Sequence, residues 1–405
     1  MLEARKTEHT IEIETTADLA FEAMTKASEL REWFSDEAWT EVRPGGRYEV
    51  RWSQGYRAEG KFTAIEPPHR AAFTWRGTGE PGETLVEVTV EPRDGAVGVS
   101  VVHGGFEQGD AWDHALEQAK KGWNIGLENL KSTLETGVDL RLARQPFLGI
   151  YLEPLDRERA AKEGIAVEQG IYVTDTAENS GARAAGLGKG DVIVALGGME
   201  TLDHNELTAA LRAHHAGDTV TVELVRGQKR ETVQVTLGER PREDLPHTAD
   251  GLAQRLAERY AETDAELKAA LEGVTEEEAE RAPAEGEWSV KQILAHLSIV
   301  ERDTQSYLAS VALDGWVDSG PSNPTIIPGR LAAVLTITPT LAGLLERYLA
   351  DEAETVAFLR GLPEETTRHK ARFYRLGQMV HYQPGHTREH IEQIRKTTQA
   401  IREGS

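Results

Sequence analysis

The 405-residue sequence contains no cysteine. That absence excludes disulfides, thiolate zinc sites and a cysteine nucleophile, so any thiol chemistry needs a thiol supplied from outside. A basic excess is missing as well: 45 Lys and Arg stand against 68 Asp and Glu, a formal net charge of −23. Phosphate contacts need clustered cations, which argues against nucleic acid or an anionic membrane as partner. No apolar run approaches the ~18 residues that a membrane-spanning helix needs. The first residues, Met1-Leu2-Glu3-Ala4-Arg5-Lys6-Thr7-Glu8, mix charges with no apolar stretch behind them. They do not read as a secretory leader, and the expected compartment is the cytoplasm. No Gly-x-Ser-x-Gly run is present, so a serine nucleophile of that type is not expected.

What is present suffices for several cores. Hydrophobic residues make up 39% of the chain, and the length predicts two to four domains. The fold class expected is multidomain α+β, divided at 1–140, 146–240 and 245–405. In the first segment, Thr10 to Glu14 alternates as a half-buried strand, and Thr16 to Phe34 has helical spacing broken at Ser28. Alternating runs follow at Tyr48–Trp52, Ala58–Ile65, Arg70–Arg76, Thr84–Val90 and Gly98–His103, separated by turn signals such as Pro44-Gly45-Gly46 and Asp94-Gly95. A helix from about Asp110 to Thr136 closes the segment, with Trp112, Leu116, Trp123, Leu127 and Leu130 on one stripe.

That order, with Glu32-Trp33-Phe34, Gly45-Gly46-Arg47-Tyr48, Phe73-Thr74-Trp75 and Lys121-Gly122-Trp123, resembles the START-like (SRPBCC) superfamily, in the branch named after activators of the heat-shock-protein ATPase. The resemblance implies a curved antiparallel sheet gripping a C-terminal helix. Trp33, Trp52, Trp75 and Trp123 are candidates to line a cavity for a small apolar ligand.

The second segment carries Phe147-Leu148-Gly149-Ile150, Ser180-Gly181-Ala182-Arg183, Lys189-Gly190-Asp191-Val192 and Gly217-Asp218-Thr219-Val220. This resembles a PDZ domain of the bacterial, protease-associated kind. Phe147, Leu148, Gly149 and Ile150 are the candidate carboxylate-binding loop, turning successive N–H groups toward a peptide C-terminus while the peptide adds as a strand to an open edge. Asp203 with Glu206 reads as a capping box opening a helix to about His215.

In the third segment, helices are expected at Thr248–Leu271, from a capping box at Ser289 and Gln292, at Thr340–Arg360, and around His386, with a loop over Gly315–Pro328. His386 and His390, four apart, present two imidazoles to one point, and His296 sits among Ile293, Leu294, Leu297 and Val300 on another amphipathic helix. Two antiparallel helices can bring three nitrogens to one ion and leave coordination positions open, as a reactive metal requires. The Trp288-Ser289…Leu294-Ala295-His296-Leu297 helix followed by His386…His390…Gln393-Ile394 resembles the DinB/YfiT-like superfamily of four-helix bundles. The resemblance implies a divalent metal on His296, His386 and His390, and pairing of bundles into a homodimer. Pro384-Gly385 is expected to begin or bend the last helix. His381, Tyr382, Glu389, Glu301 and Asp303 are further candidates near the site.

The expectation is a metal-binding protein, a divalent-metal-dependent hydrolase or thiol S-transferase of a stress or detoxification setting, using zinc, nickel or iron. Two alternatives stand beside it: a non-catalytic adaptor that recruits protein C-termini, and a carrier of a small apolar ligand.

Overall fold

The computed structural model describes residues 5–241, 244–313 and 326–404, with side chains except at 381–383. Residues 1–138 and 244–405 form one compact unit and residues 139–243 a second.

In the first unit, β1 (Arg5–Ile13) leads into α1 (Ala17–Thr25) and α2 (Ala27–Trp33). Thr16 caps α1 by accepting from Leu19 N–H, and Lys26, in the β region, separates the two helices. The break thus falls just before Ser28, and the two pieces are distinct helices. Six strands follow: β2 (Glu37–Thr40), β3 (Arg47–Arg51), β4 (Arg57–Glu66), β5 (Arg70–Gly77), β6 (Thr84–Arg93) and β7 (Ala96–Phe106). They form an antiparallel sheet ordered β1-β7-β6-β5-β4-β3-β2. β2 was not expected, because four residues give too little alternation to register. α3 (Asp110–Thr136) packs on β1 and β7. Its buried Trp123, Leu127 and Leu130 recur at i, i+4 and i+7, so a single stripe meets Phe73, Val86, Val99 and Val101 on the sheet.

The second unit holds α4 (Leu140–Ala143), β8 (Pro146–Phe147), β9 (Ile150–Pro154), α5 (Arg157–Glu163), β10 (Ile171–Thr176), α6 (Gly181–Ala184), β11 (Asp191–Leu196), β12 (Met199–Glu200), α7 (His204–Arg212), β13 (Thr219–Arg226), β14 (Lys229–Thr236) and β15 (Gly238–Glu239). The main sheet runs β14-β13-β11-β10-β9, which leaves β9 at an edge. Asp203 caps α7 through Glu206 N–H, but the Glu206 carboxylate takes the N–H of Leu202 rather than that of Asp203. The expected capping box is therefore half formed, its return bond shifted one residue outward.

The chain then re-enters the first unit with α8 (Ala249–Leu271), α9 (Glu276–Glu280), α10 (Val290–Ala312), α11 (Ile327–Ile337), α12 (Leu341–Arg360), α13 (Glu364–Arg368) and α14 (Lys370–Glu403). Most of the loop expected at Gly315–Pro328 lies outside the described residues. Its last two positions are helical, since Ile327 and Pro328 open α11, where a proline's missing N–H costs nothing. α8, α10, α12 and α14 pack as a bundle. α14 continues through Pro384 instead of beginning there. The proline removes one ladder donor, the partner of the Val380 carbonyl, while the turns on either side persist. Among the described residues no single helix is long and apolar enough to cross a membrane.

The first and third sequence segments are joined by buried charge. Glu29 on α2 accepts from Arg372 at 2.6 Å and lies 3.3 Å from His369 Nδ1, both at the start of α14. Glu32 pairs with Arg375, and Lys370 Nζ donates to the Glu135 carbonyl at 2.8 Å. Burial alone would raise the Glu29 carboxyl, but the His369 hydrogen bond and the charges of His369, Arg372 and Lys26 hold it below the usual carboxylate range. Gly137, at φ +79°, ends α3 where an added Cβ would stand 2.4 Å from the Lys370 carbonyl. Removing one partner of a buried pair leaves the other charge uncompensated. Arg372→Ala should therefore cost about 3–5 kcal/mol in urea unfolding, and Glu29→Gln with Arg372→Met should cost less than the two single changes summed.

Candidate metal centre and peptide groove

The Ser289 hydroxyl caps α10 at Gln292 N–H, and the Gln292 amide oxygen takes the Ser289 N–H in return. That box fixes where α10 begins. Val290, Ile293, Leu294 and Leu297 then face the core, and His296 is held beside them, half-buried. On α14, Ile391 and Ile394 enter the same core and set the rotation that turns His386 and His390 toward His296.

The three imidazoles converge. One ring nitrogen from each of His296, His386 and His390 lies within 4.8 Å of the others. The His386 and His390 Nε2 atoms are 3.1 Å apart. Gln393 Oε1 lies 2.8 Å from His390 Nδ1. With that oxygen accepting, the His390 proton sits on Nδ1 and Nε2 presents its lone pair to the cluster. Trp288, directly before the cap, packs on His296 with centroids 4.8 Å apart and stacks at 19° on His390. Burial first, and then the charges of neighbouring imidazoles, pushes His296 and His386 down to about 4. Both are neutral at pH 7, the state in which a ring nitrogen can donate to a metal.

Zinc–nitrogen bonds of about 2.0–2.1 Å in a tetrahedron place ligand atoms roughly 3.3 Å apart, close to the His386–His390 separation. The residues fit a divalent ion. Among the described residues no carboxylate joins the three nitrogens, so the protein supplies three donors.

The further candidates divide. Glu389 is exposed on α14. Glu301 is buried but engaged elsewhere, by the Tyr260 and Thr355 hydroxyls. Asp303 is held by Arg330 of α11 through two bonds of 2.6 and 2.7 Å. The side chains of His381 and Tyr382 lie outside the described residues. Trp288 and Gln393 belong to the motifs singled out in the sequence, where no role was visible for them. Arg330, whose charge helps to lower His296, was missed because it lies in the stretch read as irregular or just beyond it.

In the second unit, Gly149 has φ +81°, and an added Cβ would stand 2.1 Å from Ser180 Cβ. Leu148 is buried in the core, Phe147 pairs with Gly238, and Ile150 opens β9 opposite Thr176. Among the described residues no acceptor takes the N–H of Leu148 or Gly149. Two successive free amides thus stand at the start of the open-edged β9, whose Ile150 and Leu152 pack against the same core cluster as Leu207 and Leu211 of α7.

The four tryptophans sit in or against the core of the first sheet. Phe34 is their hub, 4.8 Å from Trp33, 5.1 Å from Trp52, 6.3 Å from Trp75 and 5.3 Å from Trp123, centroid to centroid. Each indole N–H meets a protein acceptor: the carbonyls of Ala23 and Phe34, the Glu80 carboxylate and His103 Nδ1. His103 in turn reaches the Thr84 hydroxyl at 2.7 Å, and burial pushes it down to about 3, so it stays neutral. The rings pack on one another and their polar tips are engaged.

Fold and sites together define a chain of three kinds of module: a sheet gripping a helix, a PDZ-like β unit, and a helical bundle with a three-imidazole cluster. Three families match it in that order: Activator of Hsp90 ATPase homolog 1-like protein at residues 14–135, PDZ domain at 146–237 and DinB superfamily at 259–394. The chain is similar to a probable periplasmic serine endoprotease DegP-like of Chlamydia trachomatis, 37% identical over 98 residues, 24% of this chain and 20% of that protein. It is also similar to one of Rhizobium meliloti, 32% identical over 109 residues, 27% and 22% of the two chains. The chain thus spans about a fifth of the length of these relatives. Among solved structures, it is similar to the Aha1 dimer from Colwellia psychrerythraea at 18% identity and TM-score 0.29, covering 32% of this chain and 96% of that one. CalU16 from Micromonospora echinospora gives 23% identity and TM-score 0.27, covering 31% and 73%.

Since Gln393 fixes the His390 ring, Gln393→Leu should weaken metal binding by about 10–100-fold, read by competition with a chromophoric chelator, with helix content unchanged.

Proposed function

We propose that this chain is a cytoplasmic divalent-metal protein whose bundle site carries out hydrolysis or transfer to an external thiol. The observation that carries the reading is the convergence of three imidazole nitrogens within 4.8 Å on two facing helices. His296, His386 and His390 would hold the ion, with zinc, nickel or iron suited to that donor set. When bound, such an ion supplies Lewis acidity to a water, thiol or carbonyl ligand. The protein's own contribution is to keep His296 and His386 neutral by burial, to orient His390 through Gln393, and to shield one side of the cluster with the Trp288 ring. The chain's lack of cysteine means that a transferred group would go to a thiol of another molecule.

Elemental analysis of untagged protein tests this. Near-stoichiometric metal is expected in wild type and its loss in both His386→Ala and His390→Ala; wild type that neither carries nor takes up metal overturns the reading. Acid should release the ion, because lowering the pH toward about 4 protonates His296 and His386 and removes their lone pairs.

A second reading rests on a separate observation, the unpaired amides of Leu148 and Gly149 beside the open edge of β9. In it the second unit recruits the C-terminal segment of a partner protein, with an apolar last side chain and a free carboxylate. Fluorescence anisotropy with a peptide library should show binding that falls at least tenfold when the terminal carboxylate is amidated. Equal binding of acid and amide forms would remove the role assigned to the loop.

A further inference from the structure

Beyond Pro384, two stripes of α14 run side by side. Thr387, Ile391 and Ile394 recur at i, i+4 and i+7 and are buried. His386, His390 and Gln393 recur at the same spacing one residue earlier, which places them about 100° around the helix. The angular setting of the buried stripe therefore decides where the imidazoles aim. Ile391 and Ile394 hold that setting by shape alone, in the cluster that also contains Val290, Ile293 and Leu294. Thr387 is polar, and it is the first buried residue after the proline that removes a donor from the backbone ladder. Its hydroxyl lies 3.0 Å from the hydroxyl of Tyr348 on α12.

We infer that Tyr348 is a positioning residue for the metal centre, acting through Thr387 to hold the turn that carries His386 and His390. α12 and α14 stand diagonally in the bundle, each packed on α8 and α10, so the Tyr348–Thr387 bond is a brace through its middle. Tyr348 is 1% exposed and its ring belongs to the same apolar cluster as Ile391 and Ile394. The ring is thus fixed by packing, and the hydroxyl at its tip gives α14 a fixed point one residue from His386. The other polar tie of that turn is Arg388 to Glu262 and Glu266 of α8, with Arg388 41% exposed, where an ion pair contributes little. Metal ligands must be held within about 10–20° of their working geometry. Just after a missing ladder bond, the backbone alone gives less of that restraint, and the brace supplies it. The inference rests on the metal reading of the three imidazoles for its purpose and on the buried bond for its geometry.

The test compares the full chain with Tyr348→Phe, which keeps the ring in the core and removes only the hydroxyl. Amide hydrogen exchange of the metal-free proteins, read on peptides covering residues 384–391, should run about five- to tenfold faster in the variant, while peptides around His296 stay unchanged. Zn2+ affinity, measured by competition with a chelator, should fall about tenfold. Thr387→Val removes the bond from its other end and should reproduce both effects, and the double variant should be no worse than either single one. A lower unfolding temperature with exchange at 384–391 and Zn2+ affinity both unchanged would make the bond a contribution to stability alone and overturn the inference. Wild type that takes up no Zn2+ sinks the metal reading. The exchange measurement on metal-free protein then still decides the brace, and equal exchange at 384–391 in wild type and Tyr348→Phe rejects it.

Discussion

A buried carboxylate must be answered, and the pairing of Glu29 with Arg372 and His369 is the constraint on which the first unit depends. Glu29 comes from a short helix near the start of the chain, and its partners open the last helix. Because the charges are shielded from water, geometry that satisfies them is strongly preferred over geometry that does not. The first turn of α14 is thereby anchored to α2 and α3, with Glu32–Arg375 and Lys370–Glu135 beside the main contact. The same helix carries His386 and His390 further along, so the element that ties the unit together also supplies two of its three candidate ligands.

Within the bundle, polar groups are sorted by what surrounds them. The imidazoles stand half-buried beside Trp288 and pointed at one another, an arrangement suited to a borderline metal. Deeper in, Glu301 is quieted by two hydroxyls, and Glu352 meets the Tyr348 hydroxyl and the Asp264 carboxyl.

How much of this could be read from the sequence depended on the range of the interaction. The extent of α3 followed from its apolar stripe, and the start of α10 from the capping-box pattern of Ser289 and Gln292; both are local signals. The three histidines were legible because i,i+4 spacing fixes two of them and the apolar stripe of α10 orients the third. β2 was invisible for want of length, and α11 because Pro328-Gly329 looks like a turn until a preceding residue is known to be helical. The burial of Glu301 and Glu352 was beyond reach, since a charged residue on a helix face looks solvated until the facing helix is in place. The partnership of Glu29 and Arg372, separated by 343 positions, leaves no mark in local pattern at all.

That separation has a kinetic side. Translation adds about 5–20 residues per second, so α2 is complete roughly 20–70 s before Arg372 is made. During that interval the nascent first segment carries Glu29 and Glu32 without the arginines that will neutralise them, and the intervening unit of residues 139–243 is finished in the meantime. The acidic face of α2 is then a half-interface that waits for its partners to be synthesised.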